Sequence, residues 1–160
     1  LDMLSQAAVL DIVRQIHAER DLATVIITHD LGVVAELADR LAVMYGGRLV
    51  EVGPTGRIVR APQHPYTAAL MRAIPRIQGD PQAARPLEGR PPDLATAPTA
   101  GCVFAPRCPL AQPSCRVDEP ALQPYRGRQV ACPIVMRADV VPEGGLAGHP
   151  IGRHGEDVQP

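Results

Sequence analysis

The cysteines are the side chains of this sequence best suited to bind a metal. All four cysteines of the 160-residue chain fall within one short segment: Cys102, Cys108, Cys115 and Cys132. Clustered thiols suit an iron–sulfur cluster, a zinc ion or a set of free thiols. The spacing lacks the close ligand pairs of zinc ribbons, and it contains Cys-Pro steps like those of ferredoxin loops without the full ferredoxin spacing. The residues alone leave all three possibilities open.

A second candidate is His29, which follows the apolar run Ala-Thr-Val-Ile-Ile at 23–27. A short, β-branched run of this kind predicts a strand covered on both faces. A lone histidine after a strand is more often structural than catalytic. The chain also contains no lysine, since all 16 positive side chains are arginine. It therefore cannot supply the GxxxxGK[ST] loop that holds nucleotide phosphates.

The first helix is predicted from apolar residues at helical spacing. Val9, Ile12, Val13 and Ile16 follow the i, i+3, i+4, i+7 pattern of a helix with one buried face, and Ser5 is its expected N-cap.

Further along, the pattern continues to alternate helix and strand. A second amphipathic helix is predicted from residue 31, a buried strand at 41–45, and a Gly-Gly turn that leads into a strand at 48–52. This alternation is typical of an α/β protein. Two or three strands are too few for a complete α/β core, so the first 53 residues resemble the tail end of a larger sheet.

After Gly53 the composition changes. A short helix is predicted at 57–60 and an apolar helix from Pro65. We expect residues 76–101 and the cysteine segment, 102–133, to be irregular, because they are rich in proline and lack periodicity. We expect residues 136–160 to be disordered.

Composition narrows the class of protein. Apolar residues make up 46% and charged residues 21%, and the formal net charge is −1. This balance gives no reason to expect a nucleic-acid partner. Because no apolar run approaches the length of a membrane span and no secretory signal is visible, we expect a soluble, cytoplasmic protein.

Four stretches of sequence resemble one protein family. The run 25–40, which contains Thr-His-Asp at 28–30, resembles the switch region of ABC-transporter ATPases, and 43–53 continues it in register. His-Pro-Tyr-Thr at 64–67 and the Gly-Cys to Cys-Pro stretch at 101–109 are similar to the C-terminal extension of the peptide branch. The chain is thus identified as a C-terminal fragment from the ATP-binding subunits of the oligopeptide/dipeptide (peptide/nickel) ABC transporter family.

The resemblance implies roles for particular residues. His29 matches the catalytic switch histidine, which contacts the γ-phosphate of ATP and the attacking water. Asp2 matches the end of the D-loop at the nucleotide and dimer interface, and Asp30 caps the next helix. The four cysteines match a segment associated with a [4Fe-4S] cluster. The phosphate loop, the Mg²⁺ ligand, the general base and the signature sequence would all lie before residue 1.

The resemblance also implies a domain organisation and a function. Residues 1–60 would be the C-terminal part of an ABC nucleotide-binding domain, 61–135 the four-cysteine extension and 136–160 a disordered tail. The complete protein would use ATP and Mg²⁺ to drive peptide import. It would act with a second ATPase subunit and membrane permease subunits at the inner face of the membrane. An iron–sulfur interaction module or a truncated, inactive product is the alternative, because this chain lacks the motifs that bind ATP.

Overall fold

The computed structural model describes residues 3–20, 22–74, 87–93 and 100–138. In chain order its elements are α1 (Met3–Arg20), α2 (Leu31–Leu37), β1 (Arg40–Tyr45), β2 (Arg48–Pro54), α3 (Thr55–Arg60), α4 (Pro65–Arg72), two short 3₁₀ helices (Ala105–Arg107 and Pro113–Arg116), β3 (Gln123–Tyr125), β4 (Arg128–Val130) and α5 (Pro133–Ala138). The described part of the chain is therefore a mixed α/β structure. Among its helices, none has the length and apolar character needed to cross a bilayer.

The strands form one antiparallel sheet in the order β1-β2-β4-β3. Strands β1 and β2 form the predicted hairpin, whose turn residues Gly46 and Gly47 have φ values of 54° and 78°. Two consecutive positive φ angles suit the right-handed twist of a tight hairpin and favour glycine. Strand β4 comes from the cysteine segment and pairs with the outer edge of β2. The cysteine segment thus extends the sheet that the hairpin begins.

Local capping signals correctly predicted two helices. The Asp30 carboxylate accepts hydrogen bonds from the backbone N–H groups of Gly32 and Val33 at 2.9 and 3.3 Å, at the start of α2. The His64 side chain caps α4 by accepting from the N–H of Tyr66 at 3.1 Å, with Pro65 at the first helical position.

The predicted strand at 23–27 is wrong for the described structure. These residues form no strand, and the side chains of Val25 and Ile27 are 89% and 97% exposed. A strand needs hydrogen-bonded neighbours, and within the described ranges no segment pairs with this one. The apolar sequence therefore remains uncovered.

The helix α1 forms, but its predicted cap and buried face are both wrong. Ser5 lies inside the helix, which begins at Met3. Val9, Ile12 and Ile16 are between 44% and 56% exposed, because the described residues do not cover this side of α1.

The cysteine segment is more ordered than its sequence predicted. It contains both 3₁₀ helices, β3, β4 and the start of α5, which reaches into the tail predicted to be disordered. Strands of three residues are too short to show a periodic pattern, and their order comes from pairing with distant β2. Most of 76–101 and all of 139–160 lie outside the described residues.

An aromatic cluster joins the cysteine segment to the hairpin. Phe104 is 1% exposed, and its ring centroid lies 5.2 Å from that of Tyr45 on β1 and 5.4 Å from that of Tyr66 on α4. Aromatic pairs at these distances dominate the energetics of small cores. The hairpin, α4 and the cysteine segment therefore share one hydrophobic core.

Candidate functional site

The polypeptide backbone brings the cysteine segment back on itself. The N–H of Cys102 donates a hydrogen bond to the carbonyl oxygen of Cys115 at 2.7 Å. Gly101 makes this approach possible: its φ is 80°, and a Cβ there would lie 2.7–2.8 Å from backbone atoms of Arg116 and Cys115. No L-residue with a side chain fits that position without moving the backbone. Three thiols are half-buried and Cys132 is buried, and all four are free.

Backbone N–H groups surround the sulfur atoms. Each of the four sulfurs accepts at least one such hydrogen bond. Phe104 and Ala105 donate to Cys102, and Leu110 donates to Cys108. Ile134 and Val135 donate to Cys132, and Gln112 donates to Cys115 at 3.5 Å. Hydrogen bonds of this kind stabilise the thiolate, which is the metal-binding form.

The thiols also interact with one another. Burial, with smaller contributions from the other three thiols, raises the pKa of Cys108 to about 11. Burial and neighbouring thiols likewise raise the pKa of Cys102 and of Cys132. The four predicted ligands therefore converge on one region. A raised pKa favours the neutral, protonated form of Cys102, Cys108 and Cys132, so metal binding would have to displace their protons.

Metal-ligating side chains are not grouped into a site in the part of the chain that the structure describes. Within the residues that the structure describes, no three His, Cys, Asp or Glu side chains lie close enough to share a single metal ion. A tetrahedral zinc site would require such a group. The described structure therefore shows no metal site, and the [4Fe-4S] cluster implied by the resemblance stays a prediction.

A buried ion pair ties the cysteine segment to β2. The Glu51 carboxylate is fully buried and accepts from the N–H groups of Gln63 and His64 at 2.9–3.2 Å and from Arg128 at 3.1 Å. The same Arg128 nitrogen donates to the carbonyl oxygens of Arg57 and Ala61 at 3.0 and 2.8 Å. Sequence patterns missed this pair, because the two residues are 77 positions apart.

Arg107, next to Cys108, forms a second link. Its guanidinium donates to the Tyr45 hydroxyl at 3.1 Å and to the carbonyl oxygens of Leu87 and Glu88 at 3.0 and 2.7 Å. It thereby holds residues 87–88 and β1 to the cysteine segment.

His29 and its neighbours occupy a different part of the molecule. His29 is exposed and lies in the bend directly before α2. The Thr28 hydroxyl accepts from the N–H of Asp30 at 3.0 Å, and Asp30 in turn caps α2. The histidine is thus held at the N-terminal end of a helix. Asp2 lies outside the described residues.

His64 serves the structure. It is 1% exposed, and burial lowers its pKa to about 3, so its imidazole is neutral at physiological pH. Its acceptor nitrogen caps α4, as described above.

Comparison with known proteins identifies the protein family that this sequence resembles. Residues 50–115 match the family model described as the oligopeptide/dipeptide transporter C-terminal region. The chain therefore carries the C-terminal region of the oligopeptide/dipeptide transporter family, and the relatives it matches are ATP-binding subunits.

Individual relatives support the same assignment over most of the chain. The dipeptide transport ATP-binding protein DppD of Bacillus subtilis is 46% identical over 109 residues, 68% of this chain and 32% of the relative. DppD of Escherichia coli is 42% identical over 133 residues, 82% of this chain and 40% of the relative. A putative peptide import ATP-binding protein of Brucella melitensis is 41% identical over 83% of this chain. The chain thus spans about a third to two-fifths of the length of these curated relatives.

Proposed function

We propose that this chain is the C-terminal part of the ATP-binding subunit of a peptide ABC importer, in which ATP hydrolysis powers transport. The observation that carries the proposal is its 41–46% identity to dipeptide and peptide import ATP-binding proteins over most of its length. In this assignment residues 1–60 complete a P-loop ATPase domain and 61–135 form the four-cysteine extension. The subunit works at the cytoplasmic face of the membrane, with permease subunits and a second ATP-binding subunit.

His29 is the proposed catalytic residue of this chain. Its position before a capped helix lets the imidazole donate a hydrogen bond to the γ-phosphate of ATP and orient the attacking water. Asp2 is proposed to contribute to the dimer interface beside the nucleotide. ATP and Mg²⁺ are otherwise held by parts of the subunit outside this sequence.

The uncovered apolar surfaces support the proposal that this chain is part of a larger subunit. Val25 and Ile27 are almost fully exposed, and one side of α1 presents Val9, Ile12 and Ile16 to solvent. Apolar area of this kind stabilises a protein only when it is buried, at about 25 cal/mol per Å². In the complete subunit we expect the segment 23–27 to become a strand and α1 to be covered.

Nucleotide binding tests the proposal. By equilibrium dialysis with labelled ATP and Mg²⁺, the chain alone should show no saturable binding, because it lacks the phosphate loop and its lysine. A fusion that places the preceding part of E. coli DppD before this chain should bind and hydrolyse Mg-ATP. A folded fusion that binds ATP without hydrolysing it, or micromolar Mg²⁺-dependent binding by the chain alone, would contradict the assignment.

We also propose that Cys102, Cys108, Cys115 and Cys132 hold a [4Fe-4S] cluster. The support is their confinement to one segment, their electrostatic interaction with one another and the N–H groups that surround their sulfurs. The bound cluster would join the stretches of the segment that carry the four cysteines. The free energy of ligation would then contribute directly to folding. The residues of the segment orient and shield the four sulfurs.

Anaerobic expression, iron and sulfide analysis and visible absorption test the cluster. We expect about four irons and four sulfides per chain, and a loss of both in Cys115→Ser. The matched control is Ser114→Ala, an adjacent exposed position, which should retain the cluster. One equivalent of zinc in a colourless protein would replace this assignment with a zinc site, and protein without metal would leave free thiols.

A further inference from the structure

Two of the four thiols are placed to bond to each other. The 2.7 Å hydrogen bond from the N–H of Cys102 to the carbonyl oxygen of Cys115 brings their backbones together. With backbone bonds of roughly 1.2–1.5 Å on either side of it, this contact limits the Cα separation of the two cysteines to about 7 Å. Disulfides require a Cα separation of about 4.4–6.8 Å. We propose that Cys102 and Cys115 are a redox-sensitive pair that forms an intramolecular disulfide when the metal-free chain meets a peroxide.

The packing around the pair favours this bridge over one that uses Cys132. Gly101 lies against backbone atoms of Arg116 and Cys115, so the stretches that carry Cys102 and Cys115 cannot separate without losing this contact. Cys102 and Cys115 are both half-buried, which leaves them open to a small oxidant. Cys132 is buried beside Val130 and Val135 and is therefore less accessible.

The chemistry balances with one peroxide per bridge. The Cys115 sulfur attacks hydrogen peroxide, the O–O bond breaks, and the products are a sulfenic acid and one water. The Cys102 sulfur then attacks the sulfenic sulfur, the S–O bond breaks, and a second water leaves with the proton of Cys102. Two thiols are oxidised by two electrons in total, and the peroxide is reduced to two waters.

The bridge would compete with metal binding. A disulfide between Cys102 and Cys115 uses two of the four sulfurs, so a four-thiolate site and the bridge exclude each other. The pairing goes beyond the proposed ATPase role and does not require it, because it depends on the backbone contact between the stretches that carry Cys102 and Cys115. Failure of the pairing would leave the transporter assignment unchanged.

Peptide mapping identifies the bridge directly. Reduced, metal-free chain is treated with equimolar hydrogen peroxide, the free thiols are alkylated, and the protein is digested with trypsin. Cleavage after arginine yields peptides 77–107, 108–116 and 129–137, which carry Cys102, the pair Cys108 and Cys115, and Cys132 respectively. The expected main product joins 77–107 to 108–116, with Cys108 alkylated.

Variants and an unfolded sample distinguish native pairing from random closure. The cross-linked peptide should persist in Cys108→Ser and disappear in Cys115→Ser. In urea the shortest loop, between Cys102 and Cys108, closes most readily, so the same treatment should give mainly that bridge, which leaves Cys115 alkylated. A native sample that gives this urea pattern, a link to 129–137, bridges between chains, or sulfinic acid alone would overturn the proposal.

Discussion

Replacing Glu51 by alanine is expected to lower the free energy of unfolding by about 3–5 kcal/mol. The carboxylate is fully buried and balances the buried guanidinium of Arg128. Its removal would also leave the N–H groups of Gln63 and His64 without their acceptor. An uncompensated buried charge and unpaired buried donors are both costly, so the change should exceed that of an ordinary surface substitution. The free energy of unfolding is measured by urea titration of the chain, with circular dichroism as the signal.

An exposed ion pair between β2 and the cysteine segment provides the control. Arg48 and Glu119 are 2.7 Å apart, but their side chains are 52% and 43% exposed. Solvent screening limits such a pair to about 0–1 kcal/mol, so Arg48→Ala should have little effect. Glu51→Gln keeps an acceptor for the two N–H groups and should fall between the two variants. If Glu51→Ala lowers stability no more than Arg48→Ala, the ion pair does not join the two segments.

The buried ion pair of Glu51 and Arg128 links the cysteine segment to the part of the chain that follows His29. Strand β2 is the second strand of the hairpin that follows α2, and β4 leads directly into Cys132. A common core and a buried ion pair therefore connect the thiols to the element that follows His29. The cysteine segment would fold together with the hairpin and would not behave as a separate appendage.

Elements specified by local chemistry could be predicted from the sequence. Gly46-Gly47 defined the hairpin, because only glycine readily adopts two successive positive φ angles. Asp30 and Pro65 marked the starts of α2 and α4, since capping depends on neighbouring residues alone. The four cysteines were recognisable as a candidate site from their clustering.

Elements that depend on distant partners could not be predicted. Residues 23–27 have the composition of a buried strand, but the described structure contains no neighbour for them, so composition was misleading. The short strands β3 and β4 are ordered by pairing with β2, and Arg128 gives no local sign that it will meet Glu51. Long-range pairing decides these features, and a pattern within a few residues cannot contain it.

The largest catalytic effect is expected at His29. In the fusion of this chain with the preceding part of E. coli DppD, His29→Ala should lower the turnover number for ATP about 10²–10³-fold. The reason is that the imidazole is proposed to stabilise charge that develops on the γ-phosphate only in the transition state. The Michaelis constant and the affinity for ATP should change little, since the nucleotide is held elsewhere.

A second histidine separates this effect from a general loss of stability. His17 is exposed on α1 and has no proposed role, so His17→Ala should hydrolyse ATP at the parent rate. Circular dichroism should show that both variants retain the parent fold.

Steady-state ATP hydrolysis by these three fusion proteins is the most direct test that this chain carries the switch of a peptide-importer ATPase. The account predicts a turnover number about 10²–10³-fold lower in His29→Ala alone, with an unchanged Michaelis constant. An unchanged turnover number with a raised Michaelis constant, or equal losses in His17→Ala and His29→Ala, would contradict it.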